Sequence, residues 1–148
     1  MVCPATVYLN GIAVNDFDAE RAESVVAEIR AMGVKATAAV FDVTDRDAVA
    51  AAFAAVAQEL GPVTVLVNNA GNAGPTGQFD MDRMFWDEDP AEWSKFIGTN
   101  FFGVLNCCHV ALPYMVEARR GRVVTIVSDS GRVGEPRIAV YAGAKAGA

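Results

Sequence analysis

The sequence predicts an α/β fold: a doubly wound parallel sheet with helices on both faces. Three observations carry this. Short β-branched runs alternate with stretches of helical periodicity, in the order β-α-β-α-β-α-β-α. Two of the runs, residues 63–67 and 123–127, are apolar nearly throughout, as strands covered on both faces are. Capping and stop residues punctuate the helical stretches. With 148 residues and 53% hydrophobic composition, the chain is the size of one domain and can fill a core.

The first strand candidate is Ile12-Ala13-Val14. Asp18 then precedes a helix over residues 19–32, apolar at Ala22, Val25, Val26 and Ile29 and stopped by Gly33. Residues 38–41 are the second strand. Thr44 to Asp47 reads as a capping box opening a second helix, which Gly61-Pro62 ends. The third strand, residues 63–67, leads into a long polar and aromatic loop over residues 72–88. Asp89-Pro90-Ala91-Glu92 has the cap, the first-turn proline and the acidic residue of a helix start. That helix is expected to run to about Glu117, with a bend near Gly98 or Pro113. The fourth strand spans residues 123–127, and a last helix covers residues 139–148.

Composition narrows the function. A net charge of −6 argues against a nucleic-acid backbone as partner. No uninterrupted apolar run of membrane-spanning length is visible, and the first residues lack a secretory pattern, so no membrane partner is expected. Three cysteines without framework spacing fit a reduced, cytoplasmic setting. Cys107-Cys108-His109 is not read as a metal site, because adjacent helical residues point in different directions. Core packing accounts for these cysteines better. His109 is the only histidine, which leaves little room for a Ser–His or Cys–His hydrolase.

Ligands of parallel sheets bind outside the carboxyl ends of the strands. Those ends carry Asn15-Asp16, Asp42-Val43, Asn68-Asn69-Ala70-Gly71 and Ser128-Asp129-Ser130-Gly131. Asp16 is a candidate ribose anchor; Asp18 competes with it as a capping residue. Tyr141 and Lys145 are four apart, on one helix face. An ammonium beside a phenol favours phenolate and suits the phenol to proton exchange; a surface pair is the alternative. Ser128 lies thirteen residues before Tyr141 and could hold a carbonyl oxygen, with Ser130 as a rival. Asn100 is an amide inside an apolar helix, there to bind a water, to distort the helix or to bond a neighbouring loop.

Together these residues resemble the short-chain dehydrogenase/reductase family. Asn68-Asn69-Ala70-Gly71 matches its NNAG motif, and Asn100, Ser128, Tyr141 and Lys145 match its catalytic tetrad in order and approximate spacing. Asp42-Val43 matches its adenine-contacting pair, and Asp16 the acidic residue of members that prefer NAD. The resemblance implies a Rossmann-like domain and interconversion of an alcohol and a ketone, with the hydride carried by NAD rather than NADP. Asp16, Asp42, Val43, Asn69, Ala70 and Gly71 would hold the cofactor, together with Tyr141 and Lys145. Tyr141 would be the general acid/base, Lys145 its partner and the ribose ligand, Ser128 the carbonyl anchor, and Asn100 the holder of a relay water. The substrate would be a small alcohol or ketone. The stretch from Ile126 to Gly134 also resembles members acting on acyl thioesters. A homo-oligomer, dimer or tetramer, is implied as well.

The sequence departs from the family at both ends. Its first strand and glycine-rich turn, which hold the cofactor pyrophosphate, have no counterpart before Asp16, where the only glycine is Gly11. Residues 1–10 are atypical, although residues 6–9 could form a substitute strand. Gly71, Gly74 and Gly77 have the wrong spacing for such a turn. The family's C-terminal elements are missing too. The expectation is therefore the middle of a longer enzyme, binding NAD weakly or not at all by itself. The alternative is a non-catalytic remnant acting through subunit association. The stretch from Gly71 to Asn100 is longer than the family's, and the extra residues, rich in Phe79, Met81, Met84, Phe85 and Trp86, would lie on the substrate side or tuck onto the core.

Overall fold

A computed structural model describes residues 11–72 and 79–148. The expectations for residues 1–10, and for Gly74 and Gly77 within residues 73–78, lie outside the described residues. The strands are β1 (Ile12–Asp16), β2 (Ala36–Val40), β3 (Val65–Asn68) and β4 (Arg122–Thr125). The helices are α1 (Ala19–Ala31), α2 (Arg46–Leu60), α3 (Pro90–Ile97), α4 (Gly103–Glu117), α5 (Ser130–Val133) and α6 (Ala139–Gly147). A 3-10 turn occupies Phe85–Asp87 and a π-helical turn Gly98–Phe102.

Both ladders are parallel. β1 pairs with β2 from Ile12 opposite Ala36 to Asp16 opposite Val40. β3 pairs with β4 from Val65 opposite Arg122 to Asn68 opposite Thr125. Among the described residues the two pairs share no ladder, so the sheet consists of two halves. Helices hold the halves together: α2 packs on β1 and β2, α4 packs on β3 and β4, and α2 packs on α4. The core lies in that seam, with Phe41, Val43, Val49, Phe53 and Val56 against Leu66, Cys107, Ala111 and Met115.

Local chemistry sets the helix ends. The Asp18 carboxylate accepts from the Arg21 N–H at 3.1 Å, and that of Asp89 from the Ala91 N–H at 2.9 Å, as side-chain caps do. The second helix is capped by Asp45, one residue later than the capping box suggests. Its carboxylate reaches both the Asp47 and Ala48 N–H groups at 3.0 Å, which the Thr44 side chain does not do. The expected long third helix is one unbroken helical stretch but divided: α3, the π-helical turn where a bend is expected near Gly98, then α4 with Pro113 inside it.

One expectation fails. β3 and β4 are not covered on both faces: Val67 is 54% and Val124 47% exposed, because among the described residues α4 is the helix packed closely on that pair. The stretch Pro90–Glu117 has no uninterrupted apolar run, yet as one helix it is long and apolar enough to cross a membrane by length and composition. Its Cys107, Ala111 and Met115 pack into the core beside α2, as those of a core helix do.

Candidate active site

The carboxyl ends of β3 and β4 gather several of the singled-out residues. Lys145, only 8% exposed, lies on the second turn of α6, and its Nζ donates to the Ile126 carbonyl just past β4 at 3.0 Å. Burial pushes its pKa down from the ordinary 10.5. Asn100 is fully buried in the π-helical turn. Its Nδ2 donates to the carbonyls of Phe96 at 3.0 Å and Asn72 at 3.1 Å, and its Oδ1 accepts from the Asn72 N–H at 3.2 Å. Gly71 lies between them. A Cβ there would stand 2.9 Å from Asn100 Oδ1 and 3.2 Å from Lys145 Nζ, so the NNAG backbone runs against both side chains.

The segment after β4 approaches from the other side. The Ser128 and Ser130 hydroxyls share a hydrogen bond at 2.8 Å, and Ser130 is buried. Gly131 lets α5 touch α6: a Cβ there would come within 2.8 Å of the Ala146 nitrogen and 3.0 Å of the Lys145 carbonyl carbon. Ser128 therefore stands one short turn from the Lys145 backbone. Tyr141 is half-buried one helical turn before Lys145, with the Phe79 ring edge-on to it at 4.7 Å. Among the described residues no hydrogen bond joins the Tyr141 hydroxyl to Ser128 or Lys145.

The other singled-out residues are spread along the strand ends. Asn69 and Ala70 are exposed before Gly71. The Asp42 carboxylate accepts from the Thr44 N–H at 2.8 Å and borders an open cleft of about 400 Å³ with Asn72, Lys95 and Thr99. Val43 is buried against Gly103, and its carbonyl accepts from Asn106 Nδ2 at 2.9 Å. Asp16 lies on the other half of the sheet. Its carboxylate accepts from the Asp18 N–H at 2.9 Å and pairs with Arg21 at 2.7 Å. The Asp18 N–H and then Arg21 hold its pKa below the usual carboxylate value. The Arg21 guanidinium also lies 4.8 Å over the exposed Phe17 ring.

Sequence reasoning missed Asn72 and Asn106, and gave Asn68 no role beyond its place in the NNAG motif. Asn72 fastens the NNAG loop to the third helical stretch through Lys95 O at 3.1 Å and Thr99 Oγ1 at 3.0 Å. Its place directly after Gly71 is the one sequence signal it carries. Asn68 Nδ2 donates to Thr125 Oγ1 at 3.3 Å across the ladder. Among the described residues no three metal-ligating side chains cluster, and burial pushes the Cys107 thiol up to about 11, with Cys108 adding to it.

Residues 8–148 match the sequence profile of the short chain dehydrogenase family. The chain belongs to that family. Among its relatives, the 3-oxoacyl-(acyl-carrier-protein) reductase of Staphylococcus aureus strain Mu50 is 39% identical over 128 residues, 86% of this chain and 49% of the relative. The 5-keto-D-gluconate 5-reductase of Escherichia coli K12 is 34% identical over 134 residues, 90% of this chain and 50% of the relative. The short-chain dehydrogenase chain described here thus spans about half the length of the curated relatives it matches. Two solved structures share the fold at 28% identity over 93% of this chain. An NAD+-bound xylitol dehydrogenase has a TM-score of 0.85 over 50% of its own length. A gluconate 5-dehydrogenase from Burkholderia cenocepacia J2315, in complex with NADP and tartrate, has a TM-score of 0.81 over 51%. The expected Rossmann-like α/β fold is therefore the fold of the chain.

Proposed function

We propose that this chain is the catalytic part of an NAD-dependent oxidoreductase, organised as one Rossmann-type domain, that interconverts a secondary alcohol and a ketone. The observation that carries the reading is the buried Lys145 ammonium, held by the Ile126 carbonyl beside Gly71 and Asn100, one turn from Tyr141. A buried charge in this setting calls for a task, since burial without a counterion is costly.

The residues fit a nicotinamide cofactor at its two ribose ends and leave its middle unaccounted for. Asp16 suits the adenosine ribose, and Lys145 and Tyr141 suit the other ribose. Gly71 leaves room for backbone approach between them. Among the described residues no glycine-rich turn follows a strand, so none is assigned to the pyrophosphate. When bound, the cofactor supplies or accepts the hydride. The protein does the rest. Ser128 donates to the substrate oxygen, Tyr141 gives that oxygen its proton or takes it back, and the Lys145 charge favours the phenolate left behind. Asn100 holds Asn72 and Phe96, and the second lone pair of its Oδ1 is the place for a relay water. Asp16 favours NAD over NADP, and Arg21 at 2.7 Å tempers its repulsion of a 2′-phosphate.

The substrate class follows the relatives: a small ketone or alcohol, with acyl thioesters and keto sugar acids as the first to try. A homo-oligomer in the cytoplasm is the expected setting. The decisive test is Tyr141→Phe in the whole protein. Turnover should fall by about 100-fold or more with NADH binding retained. Loss of binding with normal turnover of bound cofactor would end this assignment. The separation of β1 from β3 among the described residues favours a second reading, a module that associates without turning over. Micromolar NADH binding, read by fluorescence, would dismiss it.

A further inference from the structure

We propose that Phe79 positions the Tyr141 phenol and that its benzyl group makes the site favour substrates apolar next to the reacting carbon. This rests on the oxidoreductase reading above. The contact itself is direct. The two rings meet edge to face, with centroids 4.7 Å apart and planes at 63°. Tyr141 sits on the first turn of α6, where its ring would otherwise turn about two side-chain torsions. Edge-on packing removes that freedom and fixes where the hydroxyl points.

The segment that follows Phe79 is tied down at two points. The Arg137 guanidinium, one turn before Tyr141, donates to the Met81 carbonyl. Arg137 does so from a left-handed backbone (φ 72°) that side chains rarely adopt, a conformation kept only where the surroundings enforce it. At the other end Arg83 donates to the Asp87 carbonyl at 3.0 Å and to Glu92 at 3.2 Å. Trp93 Nε1 donates to Glu88 at 2.9 Å, and the Trp93 ring stacks on Phe85 at 5.5 Å. The stretch from Phe79 to Glu88 is therefore a strap tied to the start of α3 and to the entry of α6. Its aromatic end is pressed on the phenol. A benzyl group beside the phenol gives a hydroxyl-rich substrate no hydrogen-bond partner, whereas an acyl chain loses nothing there.

The experiment compares the wild-type protein with Phe79→Ala, Phe79→Leu and Phe79→Tyr, using NADH or NADPH and two ketones, an aliphatic 3-ketoester and 5-keto-gluconate. Phe79→Ala should lower kcat for both ketones by about tenfold, the scale of a displaced reacting group. It should also shrink the kcat/KM advantage of the ketoester. Phe79→Tyr, which keeps a ring, should restore kcat, whereas Phe79→Leu should restore the ketoester KM alone. A second readout needs no turnover. In protein with labelled tyrosine rings, the Tyr141 proton resonances, assigned by their loss in Tyr141→Phe, should shift in Phe79→Leu while those of Tyr114 stay. Unmoved Tyr141 resonances overturn the contact. Moved resonances with unchanged kinetics overturn the positioning role. Moved resonances in a protein that reduces neither ketone overturn the oxidoreductase reading while leaving the contact standing.

Discussion

β1 and β2 lie between two helices, α1 on one side and α2 on the other, whereas β3 and β4 carry α4 alone. The half with the thinner cover is the half that holds Gly71, Asn100, Ser128, Tyr141 and Lys145. Its buried polar side chains are nonetheless all partnered: among the described residues no buried side-chain nitrogen or oxygen lacks a hydrogen bond. The better covered half offers two carboxylates: Asp16, paired with an arginine, and Asp42, which accepts from the Thr44 N–H. Hydrophobic cover and site construction are thus separate achievements here. The helical turns and the NNAG loop build the site through hydrogen bonds, while the apolar seam between α2 and α4 joins it to the rest.

The seam is the place to break this comparison. Phe53→Ala empties the core that both halves share and should cost about 3–5 kcal/mol, read from urea unfolding by far-UV dichroism. One cooperative transition moving to lower urea is expected; two transitions would mean that the halves stand alone. Asn100→Leu should cost about 2–3 kcal/mol, since it strands the Asn72 N–H and the Asn72 and Phe96 carbonyls. A loss below about 0.5 kcal/mol would show that the site is not held by that amide. Gly71→Ala should cost about 1–2 kcal/mol, the usual scale of overpacking, and should disturb Lys145 as well as Asn100.

Acidity sharpens the contrast further. Lys145 has a folded pKa below its ordinary 10.5, so folding disfavours its ammonium. The penalty is full below the folded value and is relieved as pH rises from there towards 10.5, where the unfolded chain holds the extra proton. Wild type should therefore gain stability relative to Lys145→Met across that alkaline window; a flat difference would contradict it. Asp16 has the opposite sign. Its support is present above the ordinary 3.8 and is lost as pH falls through the lower folded value. Asp16→Asn should flatten this acid limb slightly, and Asp16→Ala should relax the proposed preference for NAD, the smallest of these effects.

The strand order, the Asp18 and Asp89 caps and the Tyr141–Lys145 face were legible because each is written in a few neighbouring residues. The family assignment was legible for the same reason, since its motifs are local. What escaped is what depends on distant partners. Asn72 became visible only with Asn100, 28 residues away, and Phe79 only with Tyr141. The exposure of Val67 and Val124 escaped too, because an apolar strand does not say whether anything packs on its second face. Within α4, Asn106 looks like any stray amide until the Val43 carbonyl is found at 2.9 Å.

The π-helical turn at Gly98–Phe102 has one more consequence. It contains an additional residue per loop of backbone, and each residue of an ordinary helix advances the phase by about 100°. Deleting one position between Gly98 and Phe102 would let the backbone relax into a regular spiral. The same deletion would swing Cys107, Ala111 and Met115 away from Phe53 and Val56 by roughly a quarter of a circle or more. The irregular turn works as a phase shifter, letting one rod aim an amide at the NNAG loop and a hydrocarbon stripe at the interior.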